Sequence, residues 1–201
     1  MQSLDPPLRW HIAGLAGLML LLGVFHESVN PWLEYNRESI ADGQWWRLVS
    51  GHLVHMNLWH LGMNLSGFLL CWVFFTDLLT RARLWLWLGV SIPVVSAAFW
   101  YLDTDLYGYV GLSGVLHGLL MMCLLLGFWG HPKLHGLLLV LISGRLIWEQ
   151  MPGYNVHYLQ DTIDGAVHVN AHLYGALVGA VLGLALLFWE KRRAQNLEKP
   201  V

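Results

Sequence analysis

Gly111-Leu112-Ser113-Gly114-Val115-Leu116-His117-Gly118 opens a long apolar stretch in the second half of the chain. A hydroxyl inside an apolar helix is commonplace, because it can bond back to its own backbone. A Ser between glycines at the mouth of a span, with a His at matching depth in another span, is a different matter. That pairing points to serine-type hydrolysis within a bilayer, and the rest of the chain has to be compatible with it.

Composition places the chain in a membrane. Of 201 residues, 56% are hydrophobic and 12% charged, against about 25% charged in a typical soluble domain. Uncharged apolar runs recur along the whole length, the pattern of an all-α, polytopic membrane protein. Spans and short loops use up the length, leaving no room for a soluble domain beside them. A net charge of −2 argues against a nucleic-acid partner. Cys71 and Cys123 both fall in apolar runs and read as small core residues, with no disulfide expected.

Six helices are expected, at about 9–26, 56–77, 83–101, 112–130, 134–149 and 170–189. Residues 1–8 form the N-terminal segment, 9–190 the six-helix core and 191–201 a basic tail. The first helix reads as a retained span, since no A-x-A-like cleavage site follows it. The fifth is short, and Arg145 and Glu149 lie near its outer end at i,i+4 spacing. Loose packing or a tilt is expected there, and the short lipid-spanning length makes this span the candidate gate for a substrate, with Gly144 and Pro152-Gly153 allowing movement.

Lys and Arg orient the bundle. With the N-terminus inside, the inner segments hold Arg9, Arg81, Arg83, Lys133, Lys191, Arg192, Arg193 and Lys199. The outer segments hold only Arg37 and Arg47, with Arg145 near a span end. This is a positive-inside pattern with both termini cytoplasmic. The long outer loop carries Trp45-Trp46-Arg47, expected to anchor at the headgroup level.

The orientation serves as a ruler. Ser113 in span four, His172 in span six, and His55, His60 and Asn64 in span two all fall in the outer half. Polar groups inside spans are costly and usually mark function. Gly114 and Gly118 form one small-residue face, Gly175 and Gly179 another, and such faces let backbones approach closely. His172, Gly175 and Gly179 share a helix face, so packing of spans four and six would bring His172 to Ser113. A Ser hydroxyl needs a base, and neutral His suits that role. Asn64 and His60 can donate to an oxyanion with the Ser113 backbone N–H, and Gly111 belongs to the same set. No acidic third member is evident at this depth. Asp161 and Asp164 in the loop before span six are the only nominees, and a Ser–His dyad is the simpler arrangement. His52 and His55 read as loop residues, and His11, His131, His135, His157 and His168 as structural.

With these residues in place, the chain resembles the rhomboid family of intramembrane serine proteases. The resemblance rests on Trp46-Arg47, on His55, His60 and Asn64 as H-x4-H-x3-N, on Gly111-Leu112-Ser113-Gly114, and on His172-x2-Gly175-x3-Gly179. It implies Ser113 as nucleophile, His172 as base, His60 and Asn64 as oxyanion donors, and no metal or cofactor. Rhomboids commonly carry an aromatic residue four after the nucleophile, stacked on the base. His117 stands there, to stack on His172, line the substrate pocket or compete as base. The compact chain is most similar to the rhombosortase branch. That likeness implies single-span or C-terminally membrane-tailed protein substrates, in a bacterial inner membrane with the site opening to the periplasm. Two other readings stay open: an inactive rhomboid-like binder of transmembrane helices, and a His-ligated haem or metal protein, given eleven His.

Overall fold

The computed structural model describes residues 6–197; residues 1–5 of the N-terminal segment and 198–201 of the basic tail lie outside the described residues. Helix α1 (Pro6–Val24) starts on two prolines, which lack the N–H groups that a first helical turn leaves unbonded anyway. Its buried residues Leu8, Ile12 and Met19 mark one face. The chain then bends by 104° into α2 (His26–Leu33).

The long loop that follows has its own framework. Strand β1 (Tyr35–Asn36) leads into α3 (Arg37–Ala41), where the Asn36 side chain accepts the Ser39 N–H as a cap. Next comes α4 (Arg47–Ser50). Arg47 is buried, and its guanidinium donates to Gln44 Oε1 and to the carbonyls of Glu34 and Pro31 at 2.7–2.9 Å. It staples the loop from within, whereas the pairing with Trp had suggested a headgroup anchor. Trp32, Trp45 and Trp46 remain exposed.

Helix α5 (Leu58–Phe74) is capped by Asn57, whose side chain accepts the His60 N–H. Its buried face reads His60, Leu61, Asn64, Phe68 and Cys71, three turns of one stripe. Helix α6 (Arg81–Tyr101) is capped by Thr80. Strand β2 (Gly108–Tyr109) then pairs antiparallel with β1, Tyr35 opposite Tyr109, a small ribbon in an otherwise helical fold.

Helix α7 (Ser113–Leu126) is buried on nearly every side and is the centre of the bundle. Helices α8 (Pro132–Glu149), α9 (His157–Ile163) and α10 (Val169–Leu197) complete it. α10 makes the most extensive contact with α7. Arg83 and Glu190 form an ion pair that ties α6 to α10 at the other end. Cys71 and Cys123 are free and buried.

Five of the six long helices fall within a few residues of the limits expected from hydropathy; α10 runs on to Leu197, eight residues past 189 and into the segment expected as a tail. Their fitness as spans differs. α6 and the Val169–Asn196 part of α10 are long and apolar enough to cross a membrane alone, and the bent α1–α2 pair passes when taken together. α5 and α7 are apolar but shorter.

Candidate active site

Ser113 is the first residue of α7. At that position its N–H has no partner within the helix and points outward from the positive end of the helix dipole. The turn into the helix depends on Gly111, whose φ of +117° lies where side chains are rarely tolerated. A Cβ there would also lie 2.7 Å from the His60 ring. The Gly111 N–H donates to the Gly51 carbonyl at 3.0 Å, fastening this turn to the long loop before α5.

His172 lies one turn into α10, and its Nε2 is 3.2 Å from Ser113 Oγ. Two helices must approach closely to allow this. A Cβ built on Gly175 would run into the Gly114 carbonyl oxygen, and one on Gly179 into that of Gly118. Gly114 in turn faces Ala171, and Gly118 faces Gly175. All four glycines singled out from spacing therefore line the same α7–α10 contact.

The other ring nitrogen of His172 has a partner that the sequence reading missed. Nδ1 lies 2.9 Å from Glu149 Oε2. The second carboxylate oxygen, Oε1, accepts from Arg145 Nε at 2.8 Å. The Glu149 side chain is only 3% exposed, so an acidic group does meet the base. The two nominees, Asp161 and Asp164, are exposed. At this end of α8, Leu146 and Glu149 are buried, while Ile147 and Trp148 between them are exposed. The available signal was a charged pair, Arg145 and Glu149, at the end of an otherwise apolar helix.

His117 stacks on His172, ring centroids 4.2 Å apart and planes 20° from parallel. Its Nδ1 lies 2.8 Å from the Ser113 carbonyl, which can only accept, so Nδ1 carries the hydrogen. This geometry favours the stacking role and puts the ring against the base. We expect His117→Phe to keep the stack and most of the turnover. His117→Ala should lose up to about tenfold, the scale of an aromatic contact worth ~0.5–1.5 kcal/mol. Loss of all turnover in His117→Ala, with His172→Ala spared, would identify His117 as the base instead.

Opposite Ser113 stand His60 and Asn64. The His60 Nδ1 accepts the Met56 N–H at 3.5 Å, a long bond that leaves Nε2 to carry the hydrogen. Asn64 Nδ2 donates one hydrogen to the His60 carbonyl at 2.9 Å and keeps a second. Both residues line a cavity of about 400 Å³ with Ser113, His117 and His172. Its remaining walls are largely apolar, including Met63, Leu116 and Leu120, with Leu159 and Ile163 of α9 alongside.

Further buried polar groups surround the site, and Tyr109 and His168 line the same cavity. His52 Nε2 donates to Ser96 Oγ at 2.9 Å, and Ser96 donates to the Leu48 carbonyl. Burial pushes the His52 and His55 imidazoles down to about 3, so both are neutral at any working pH. Burial pushes the Tyr109 phenol up to about 12, which keeps it protonated. Asp103 accepts from His168, Asn170 and Tyr174 at 2.6–2.9 Å and so holds the start of α10 against the end of α6.

Comparison with known proteins bears on the same segment. A family model described as the rhomboid domain matches residues 42–189, which hold every site residue named above. The chain is 32% identical to the rhomboid protease GlpG of Serratia proteamaculans over 185 residues, 89% of this chain and 60% of that protein. It is 28% identical to the GlpG of Yersinia enterocolitica over 170 residues, 83% of this chain and 56% of that one. The chain thus spans under two thirds of the length of these GlpG relatives. The putative rhomboid protease YdcA of Bacillus subtilis is 25% identical over 199 residues, 94% of this chain and 93% of the relative. From the match to its central segment, the chain belongs to the rhomboid family.

Proposed function

We propose that the chain is an intramembrane serine endopeptidase that cuts a peptide bond in the outer part of a substrate's transmembrane segment. The observation that carries this is the 3.2 Å contact from His172 Nε2 to Ser113 Oγ, beside a cavity flanked by hydrogen-bond donors. His172 takes the Ser113 proton as Oγ attacks the scissile carbonyl. Negative charge then develops on the carbonyl oxygen, within reach of donors from Asn64, His60 and the start of α7. His172 returns the proton to the leaving amine, and a water repeats the sequence to release the acyl group.

The bundle is taken as six spans with both termini cytoplasmic, as the Lys and Arg distribution favours. A 14-residue α7 is about 21 Å long, against ~30 Å of hydrocarbon. Its outer end, and Ser113 with it, then sits below the membrane surface, where both a substrate helix and water can meet. In this reading the membrane is a bacterial inner membrane and the site opens to the periplasm. Substrates are single-span proteins or proteins with C-terminal membrane tails, as for the rhombosortase branch. Cuts beside small residues are favoured, because Gly costs a helix about 1 kcal/mol relative to Ala and eases unwinding.

The haem or metal reading has less support. Both His172 nitrogens are already engaged, by Ser113 and Glu149, so neither is free to ligate. An inactive binder would need no base aligned on the hydroxyl.

The decisive experiment reconstitutes the protein with candidate single-span and membrane-tailed substrates and maps the cut by mass spectrometry. A cut in the outer third of the span supports the proposal, and one in the cytoplasmic half overturns the assigned depth. In the same assay, Asn64→Ala should lower kcat by roughly 10²–10³-fold, the scale of a lost oxyanion donor, with KM little changed. A raised KM at normal kcat would assign Asn64 to substrate binding instead.

A further inference from the structure

We propose that Glu149 is a positioning residue, making the Ser113–His172 pair a Ser–His–Glu triad whose acidic member is carried by α8. This rests on the serine-protease reading above and extends it. An ionised carboxylate only accepts hydrogen bonds, so the 2.9 Å contact with Oε2 requires the hydrogen on His172 Nδ1. That leaves the Nε2 lone pair facing Ser113 Oγ, the tautomer a general base must have. The same carboxylate offsets the positive charge that His172 gains when it takes the Ser113 proton.

Glu149 is itself held in place. Arg145 engages the other oxygen at 2.8 Å and donates to the Tyr154 hydroxyl at 2.6 Å, with its guanidinium over the Trp148 and Tyr154 rings. The buried charge is therefore paired, the condition under which a carboxylate is tolerated here. A tie that served only to fasten α8 to α10 would not need one oxygen on Nδ1 of the base. The titratable groups around His172 are Glu149 and Arg145 from α8, His117 from α7 and His60 from α5.

The test compares Glu149→Gln and Glu149→Asp with wild type and Ser113→Ala. It measures cleavage of a transmembrane substrate across pH, and the rate at which a fluorophosphonate labels Ser113. Glu149→Gln preserves shape but can present an N–H to Nδ1 and favour the wrong tautomer. It should lower kcat by about 10²–10⁴-fold, as loss of the acidic member does in other triads. KM should stay near normal, and labelling should slow in parallel. The pH–rate profile should differ from wild type, because a charge in contact with the base is gone. Glu149→Asp keeps the charge but draws it back by a methylene, and should fall between the two. Wild-type kcat, labelling rate and pH profile in Glu149→Gln would overturn the triad. If Glu149→Gln does not fold, wild-type kcat in Glu149→Asp overturns it equally. In either case an inert Ser113→Ala leaves the protease reading standing, whereas an active Ser113→Ala removes that reading itself.

Discussion

Ser113→Ala should stop cleavage while leaving the bundle folded. The substitution deletes one oxygen that faces a cavity, and it leaves the Gly111 turn and the α7–α10 contact intact. The expected loss is on the order of 10⁴–10⁶-fold, the range found when a serine nucleophile is removed. His172→Ala should cost about as much. The two act as a unit, so the double variant should be no worse than either single one. The measurements are substrate cleavage in reconstituted membranes and fluorophosphonate labelling, with thermal unfolding in detergent as the check on folding. Turnover by Ser113→Ala comparable to wild type would remove the assigned nucleophile. Additive losses in the double variant would mean that the two residues serve separate steps.

Gly175→Leu should be the most damaging substitution outside the polar site. At Gly175 even a single Cβ meets the backbone carbonyl of Gly114, and a backbone cannot rotate aside as a side chain can. The helices would have to separate, which strips dispersion contacts along the centre of the bundle. The cost should exceed the ~3 kcal/mol at the upper end for a strained, overpacked core. Activity should disappear with it, since the same contact brings His172 to Ser113. Gly89→Leu on α6 is the matched control, because nothing lies within 4 Å of the added carbon. Thermal unfolding and cleavage of the two variants give the comparison. A Gly175→Leu protein that unfolds and cleaves like the Gly89→Leu control would show that α7 and α10 do not need this closeness.

Much of the site could be read from the chain because depth in a membrane is a one-dimensional quantity. Counting residues from a helix end put Ser113, His172, His60 and Asn64 at a common level, and all four line one cavity. The periodic glycines supplied the contact partner, since a backbone-to-backbone approach demands small residues on both helices. Gly111 was marked by its place before the Ser, although its +117° φ and its contact with His60 were not.

What the sequence determined by itself was the apolar helical class and the order and rough limits of the long helices. Rotation and neighbours were decided only by the tertiary structure. Lipid is about as apolar as a protein core, so hydrophobic periodicity marks the buried face of a membrane helix poorly. That is why Glu149 was visible as a charge in α8 but not as the partner of His172. Local spacing paired it with Arg145, and nothing in the sequence says which way the end of α8 faces. The same limit hid the burial of Arg47, whose acceptors are backbone carbonyls 13 and 16 residues away. It also hid the β1–β2 ribbon, two residues a side, too short to carry an alternating pattern. Each of these is a long-range pairing that satisfies a buried polar group, and such pairings exist only once the chain has closed on itself.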